Sequence, residues 1–261
     1  MSWTITPVSK KKEKLKKPIL IVGLPGIGNV GKVAIDYLID KLKAEPMAEF
    51  FSFSFPHSVF VTEDNLVELP NITLHLKKQA KSRDFLFLAG DVQPTDEEAS
   101  YQFSEAVLDL MEQYDCSEII TLGGIGLPQV PRDPKVYLTG NDKELVAKHA
   151  RLTGANNRLY GVVGPIIGAS GLLLGLSKKR KIPSVCYLAE TFGHPMYLGM
   201  RGSRAIVNCL NKSLSLGVSL EQLDKEIVEI EKESQEGETP KTSKYRKLKD
   251  SLQRQDINYI G

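Results

Sequence analysis

The 261-residue chain is poor in the residues and segments that mark secreted, membrane-spanning or metal-dependent proteins. It has three cysteines, Cys116, Cys186 and Cys209. They are odd in number and far apart, so they form neither a disulfide framework nor a CxxC metal pair. A reducing cytoplasm is the compartment expected from that usage. The four histidines, His57, His75, His149 and His194, make no HxH or HExxH pattern. A catalytic zinc site needs three convergent ligands, and surface or loop positions are the simpler expectation for all four. No metal, no cofactor and no catalytic residue is therefore expected. The N-terminal MSWTITPVSKKKEKLKK carries charge where a signal peptide needs an apolar core. Residues 159–177 are free of charge, close to the ~20 residues that span a bilayer. Pro165 and five glycines break that run, and they suit strand, turn and helix start better than an apolar rod.

What is present is a balanced globular composition. Lysine and arginine total 34 and aspartate and glutamate 32, a net charge of +2. A pI near 8.3 lies below the range of dedicated nucleic-acid-binding domains, above about 9. With 41% hydrophobic residues the chain can build a core, which excludes disorder throughout. Three regions are expected. Residues 1–17, with six lysines against Glu13, read as a basic mobile arm. Residues 18–215 read as an α/β core. Residues 216–261 read as a C-terminal helical segment and flexible tail, acidic over 221–238 and basic over 239–256.

Within the core, apolar runs alternate with amphipathic segments. Strands are predicted at 18–23, 49–55, 59–61, 66–69, 72–76, 84–89, 118–122, 136–139, 158–163 and 184–190. Helices are predicted at 28–42, 95–114, 170–180 and 203–214, with another following Ser219. Thr95 and Glu98 have the spacing of a capping box, as do Ser219 and Gln222. The order argues for an α/β sandwich with a mostly parallel sheet and some hairpin additions.

The richest motif is Gly23-Leu-Pro-Gly26-Ile-Gly28-Asn-Val-Gly31-Lys32, between a strand and a helix. Gly26, Gly28 and Gly31 match the dinucleotide fingerprint, and the run nearly completes a phosphate loop. Val33 stands where a serine or threonine would hold magnesium, which argues against nucleotide hydrolysis. Two readings remain. The glycines permit a tight strand–helix turn, or Gly26, Gly28, Gly31 and Lys32 cradle an anion at the helix start. Gly168-Ala-Ser170-Gly171-Leu172 is not a nucleophile elbow, because Leu172 replaces the final glycine. The last residues offer an aromatic and an aliphatic side chain beside a carboxylate, the makings of a docking peptide.

Taken together, these motifs resemble the proteasome-assembly-chaperone family (chaperone-2 type), its archaeal branch in particular. The resemblance is carried by Gly23 to Gly31 followed by Ala34 and Tyr37-Leu38-Ile39. Gly124-Ile-Gly126 and Gly164-Pro-Ile-Ile-Gly168…Gly171-Leu-Leu-Leu174 extend it in matching order over residues 18–215. It implies a phosphorylase-like, three-layer α/β sandwich with a mixed, mostly parallel sheet and no established catalytic residues. It also implies a homo-oligomer that binds proteasome α-subunits or the 20S particle. The family's hydrophobic–tyrosine–any-residue tail places docking on Ile257, Tyr259, Ile260 and Gly261. Here Tyr259 is third from the end, and Asn258 precedes it where the pattern has a hydrophobe.

Overall fold

The computed structural model describes residues 3–9, 14–62, 64–94, 96–194 and 197–236, with side chains up to residue 230. The strands are β1 (Thr4–Pro7), β2 (Ile19–Gly23), β3 (Glu45–Phe51), β4 (Phe60–Val61), β5 (Val67–Glu68), β6 (Ile72–Lys77), β7 (Phe85–Gly90), β8 (Glu118–Leu127), β9 (Val136–Gly140) and β10 (Ser184–Phe192). The helices are α1 (Val30–Leu42), α2 (Glu97–Gln113), α3 (Lys143–Thr153), α4 (Ala169–Lys179), α5 (Met200–Leu214) and α6 (Glu221–Glu236).

Among the described residues, one eight-stranded sheet has the order β1-β3-β6-β7-β2-β8-β10-β9, and β4 and β5 form a separate hairpin. The four central strands, β7, β2, β8 and β10, run parallel. Flanking strands pair antiparallel, and β3 regains the central direction through β6. The sheet is thus mixed and mostly parallel in strand direction. A central parallel strand is covered on both faces, which explains why all five residues of β2 are apolar or glycine and buried. Ile19 and Ile21 pack into the layer of α1, α3, α5 and α6, while Leu20 and Val22 pack into the layer of α2 and α4. That alternation makes a three-layer sandwich with a large core on each face of the sheet, beside a smaller cluster that includes Ile125, Leu174, Cys186 and Leu188.

Local chemistry sets the helix ends. Asp142 caps α3 through a 2.7 Å bond from the Leu145 amide, and Gly154, at φ +77°, ends it. Asp96 caps α2, its carboxylate accepting from the Ala99 amide at 2.7 Å. This corrects the expected Thr95–Glu98 box. The aspartate is one residue closer to the helix, and Glu98 instead accepts from Gln102. Thr95 lies outside the described residues. Ser219 accepts from the Glu221 amide at the start of α6, but Gln222 bonds to Lys41 and Glu226 rather than closing a box.

Four further expectations are corrected. The arm over residues 1–17 is not free at Thr4–Pro7, which pair antiparallel with β3. Trp3 holds that strand down by packing on Phe103 and Phe55, at ring-centroid distances of 4.7 and 5.3 Å. The strand predicted at 49–55 sits earlier, at Glu45–Phe51, where β6 offers a partner. The strand predicted at 158–163 is a turn region with one isolated bridge, between Tyr160 and Val163, because Gly161 turns the chain at φ +82°. Helix α3 was absent from the expected elements.

Candidate functional site

The glycine-rich turn joins β2 to α1 at the carboxyl ends of the parallel strands, where ligands commonly bind in open α/β sheets. A single 3-10 turn, Ile27–Asn29, leads into the helix. Gly28 sits at φ +59°, a region costly for residues with a side chain, and its carbonyl accepts from the Gly199 amide at 2.8 Å. A Cβ on Gly31 would stand 2.5 Å from the Leu122 carbonyl oxygen, so α1 lies directly on β8. Gly28, Gly31 and Lys32 are thus packed into the turn, whereas Gly26 is exposed, with open space where a Cβ would stand. Lys32 is nearly buried, and its ammonium lies 2.9 Å from Asp36 and 3.6 Å from Asp91. Two carboxylates already neutralise the cation an incoming phosphate would need. The same acids would repel that phosphate.

A second feature runs along the α1 layer. Helix α5 begins beside the glycine turn, with the Ser203 hydroxyl donating to the Val30 carbonyl at 3.0 Å. Asn211, near its far end, bonds both backbone groups of Val218, at 2.7 and 3.1 Å. The Tyr37 hydroxyl then donates to the Ser219 carbonyl at 2.7 Å, and Lys41 bonds Gln222. One turn on, Arg204 grips Asp224 through two guanidinium nitrogens. These contacts tie α6 and the loop before it to both α1 and α5. Leu223 and Ile227 anchor it in the core. At 1.5 Å per residue its 16 residues cover about 24 Å. Ile257, Tyr259, Ile260 and Gly261 lie outside the described residues, beyond the end of α6.

A third feature was not legible in the sequence. His149 of α3 is buried between Glu118 of β8 and Tyr187 of β10, with Nε2···Oε1 at 2.8 Å and Nδ1···Oη at 2.5 Å. Arg83 donates to the other Glu118 oxygen at 3.2 Å, and the Tyr187 hydroxyl donates to Ser213 of α5 at 3.2 Å. This corrects the expectation of a surface or loop histidine. Burial pushes the Glu118 carboxyl up, but the His149 hydrogen bond and the charges of His149 and Arg83 outweigh it and hold it below the usual range. Burial raises the Tyr187 hydroxyl, despite the bond to Ser213. A cavity of about 400 Å³ opens beside Glu118, lined also by Ser117, Asp142, Lys148 and Arg151. The only sequence signal was a glutamate opening an otherwise apolar strand.

Burial lifts the Cys116 thiol to about 11 and the Cys186 thiol to about 12, so neither is a thiolate nucleophile at neutral pH. Ser170 spends its hydroxyl on the Leu122 carbonyl at 3.4 Å. Among the described residues no group of three or more His, Cys, Asp or Glu side chains is placed to hold a metal ion. Among them, too, no helix is long and apolar enough to cross a membrane.

The molecule is therefore an α/β sandwich in which Gly31 lets α1 lie on β8 and the last described helix is tied to α1 and α5. The chain belongs to the PAC2 family, whose sequence profile matches residues 20–237. It is similar to Pyrococcus furiosus PbaB, described as an archaeal proteasome activator, at 31% identity and a TM-score of 0.82 over 90% of this chain and 98% of that one. P. furiosus PbaA, described as an archaeal homolog of proteasome-assembly chaperone, shares the fold at 21% identity and a TM-score of 0.74, covering 97% and 99% of the two chains. The Methanocaldococcus jannaschii protein MJ1210 is 30% identical over 221 residues, 85% of this chain and 83% of its own.

Proposed function

We propose that this protein is a cytoplasmic, non-enzymatic proteasome assembly chaperone or proteasome-binding adaptor. It docks on proteasome α-subunits through Ile257, Tyr259, Ile260 and Gly261, and it acts as a homo-oligomer that displays several tails together. The observation that carries the reading is the 31% identity to PbaB, a proteasome activator, over nearly the whole of both chains. A rigid body and an apolar–aromatic terminus together match the mode in which a terminal carboxylate is captured by backbone amides or lysine.

The competing reading, a phosphate or nucleotide ligand at the Gly26–Lys32 turn, is disfavoured by the two carboxylates on Lys32. Capture of archaeal proteasome α-subunits by the tagged full chain tests the proposal, in parallel with a chain lacking residues 259–261. Capture by the full chain and its loss in the shortened one is the expected outcome. Equal capture by both removes the tail from the mechanism, and no capture by either removes the proteasome.

A further inference from the structure

The N-terminal strand fills a seat whose walls have their own support. β1 is four residues long, stands at the end of the eight-stranded sheet and pairs on one side, with β3. Trp3 and Ile5 pack on the body, while Thr4, Thr6, Pro7, Val8 and Ser9 are exposed. Trp3 rests on Phe103 of α2 and on Phe55, and Ile5 lies opposite Phe50 of β3. Phe50 and Phe103 also meet each other edge to face at 5.9 Å, and β3 has β6 as a partner on its other side. The fit of the strand is incomplete. The Trp3 indole Nε1 is buried with no hydrogen-bond partner among the described residues, and leaving a buried donor unpaired is costly.

We propose that this seat is an acceptor site for an extended peptide of another protein, which β1 closes as a competitor from within the chain. Strand addition at a sheet edge draws affinity from main-chain hydrogen bonds and specificity from alternate side chains. β1 shows what the seat takes: backbone pairing over Thr4–Pro7, with an aromatic at position 3 and an aliphatic at position 5 on the inner face. The occupant that fits is therefore an extended segment with an aromatic residue two places before an aliphatic one. Phenylalanine in the first place supplies the ring contacts without burying an unpaired N–H. A short edge strand held by two side chains belongs to the low-stability end of a fold, where segments open without global unfolding. Its release bares the edge of β3, a ready template for another strand. The inference stands apart from the proposed function, because neither Trp3 nor its seat enters tail docking.

The probe is a labelled peptide of residues 2–9, SWTITPVS, titrated with the full chain and read by fluorescence anisotropy. Trp3→Ala with Ile5→Ala frees the seat, and this open chain should bind the peptide about tenfold or more tightly than the wild type. The reason is that a closed competitor raises the apparent dissociation constant by the inverse of the open fraction. A peptide with serine in place of both tryptophan and isoleucine should not bind, and Phe55→Ala added to the open chain should weaken binding about tenfold. In the wild type, excess unlabelled peptide with phenylalanine in place of tryptophan should shift the emission of Trp3, the chain's one tryptophan, to the red as the indole leaves its seat. Circular dichroism checks the fold of each variant. Should the open chain unfold, amide exchange in the wild type decides, and residues 4–8 should exchange about a hundredfold or more faster than Ile19–Gly23. Equal peptide affinity for open and wild-type chains, no binding to a folded open chain, unchanged Trp3 emission, or exchange of β1 in step with β2 overturns the inference. So does peptide uptake by the wild type that falls as chain concentration rises, because the seat then belongs to the strand of a second copy.

Discussion

Glu118 shows how much one buried carboxylate can hold. It accepts from His149 and Arg83, and through His149 and Tyr187 it joins β8, α3, β10 and α5. Removing one member of a buried pair leaves the other desolvated and unpaired. Glu118→Ala should therefore cost about 3 kcal/mol, read as a lower midpoint with unchanged slope in urea unfolding. The pH dependence has a definite sign. The folded-state carboxyl is held below its ordinary 4.5, so its contribution is fully present above that value. It is lost as the pH falls below 4.5 and through the depressed folded value. Glu118→Gln should flatten that acid limb of the stability curve. A mutant as acid-labile as the wild type would assign the limb to other carboxylates. At the glycine turn, Gly31→Ala places a methyl 2.5 Å from the Leu122 carbonyl. Forcing α1 off β8 should cost about 1–3 kcal/mol by thermal unfolding. Lys32→Ala, by contrast, should leave α-subunit capture unchanged.

Elements differ in how much of them a sequence discloses. PILIVG followed by the glycine turn and the Val30, Val33, Ala34, Leu38 spacing named β2 and α1 directly, because a buried central strand and a helix against it carry nearly continuous apolar signals. Helix α3 hid behind KELVAKHARLT, where charge dominates and only Leu145, His149 and Thr153 are buried. Its aspartate cap was the readable clue. The turn at 158–163 had strand-like composition but no neighbour to pair with, and pairing is a tertiary fact. The Glu118–His149–Tyr187 chain was illegible for the same reason, since 31 and 38 residues separate its members. Helix α6 sits between these cases. Its Leu223, Ile227 and Ile230 stripe was plain, while the ion pair of Asp224 with Arg204 on α5 was not. That ion pair is substantially exposed and should be worth under about 1 kcal/mol. Leu223→Ala, which empties a buried site, should cost about 2–4 kcal/mol. Amide exchange over residues 221–230 should then accelerate far more in Leu223→Ala than in Asp224→Asn. Similar protection in the two variants would mean that the ion pair, not the core contact, holds the helix.

At the scale of the whole molecule, the question is what a rigid body adds to a short terminal peptide. The body is bonded through both helix layers, and α6 is anchored to it at Leu223 and Ile227. In the proposed oligomer, segments that follow α6 would start from set positions rather than diffusing independently. If two or more copies associate, a first tail in its pocket raises the effective concentration of the next into the millimolar range, and avidity gains of about 10²–10⁴ follow without any new contact. The proposed function thus predicts a gap between parts and whole. A synthetic peptide spanning residues 239–261 should compete with the full chain for α-subunits only at concentrations about a hundredfold higher or more. Surface plasmon resonance on immobilised α-subunit rings would order the two by dissociation rate. A peptide as effective as the intact protein would mean that the body contributes no avidity, and its role would then have to lie in what it blocks or orients.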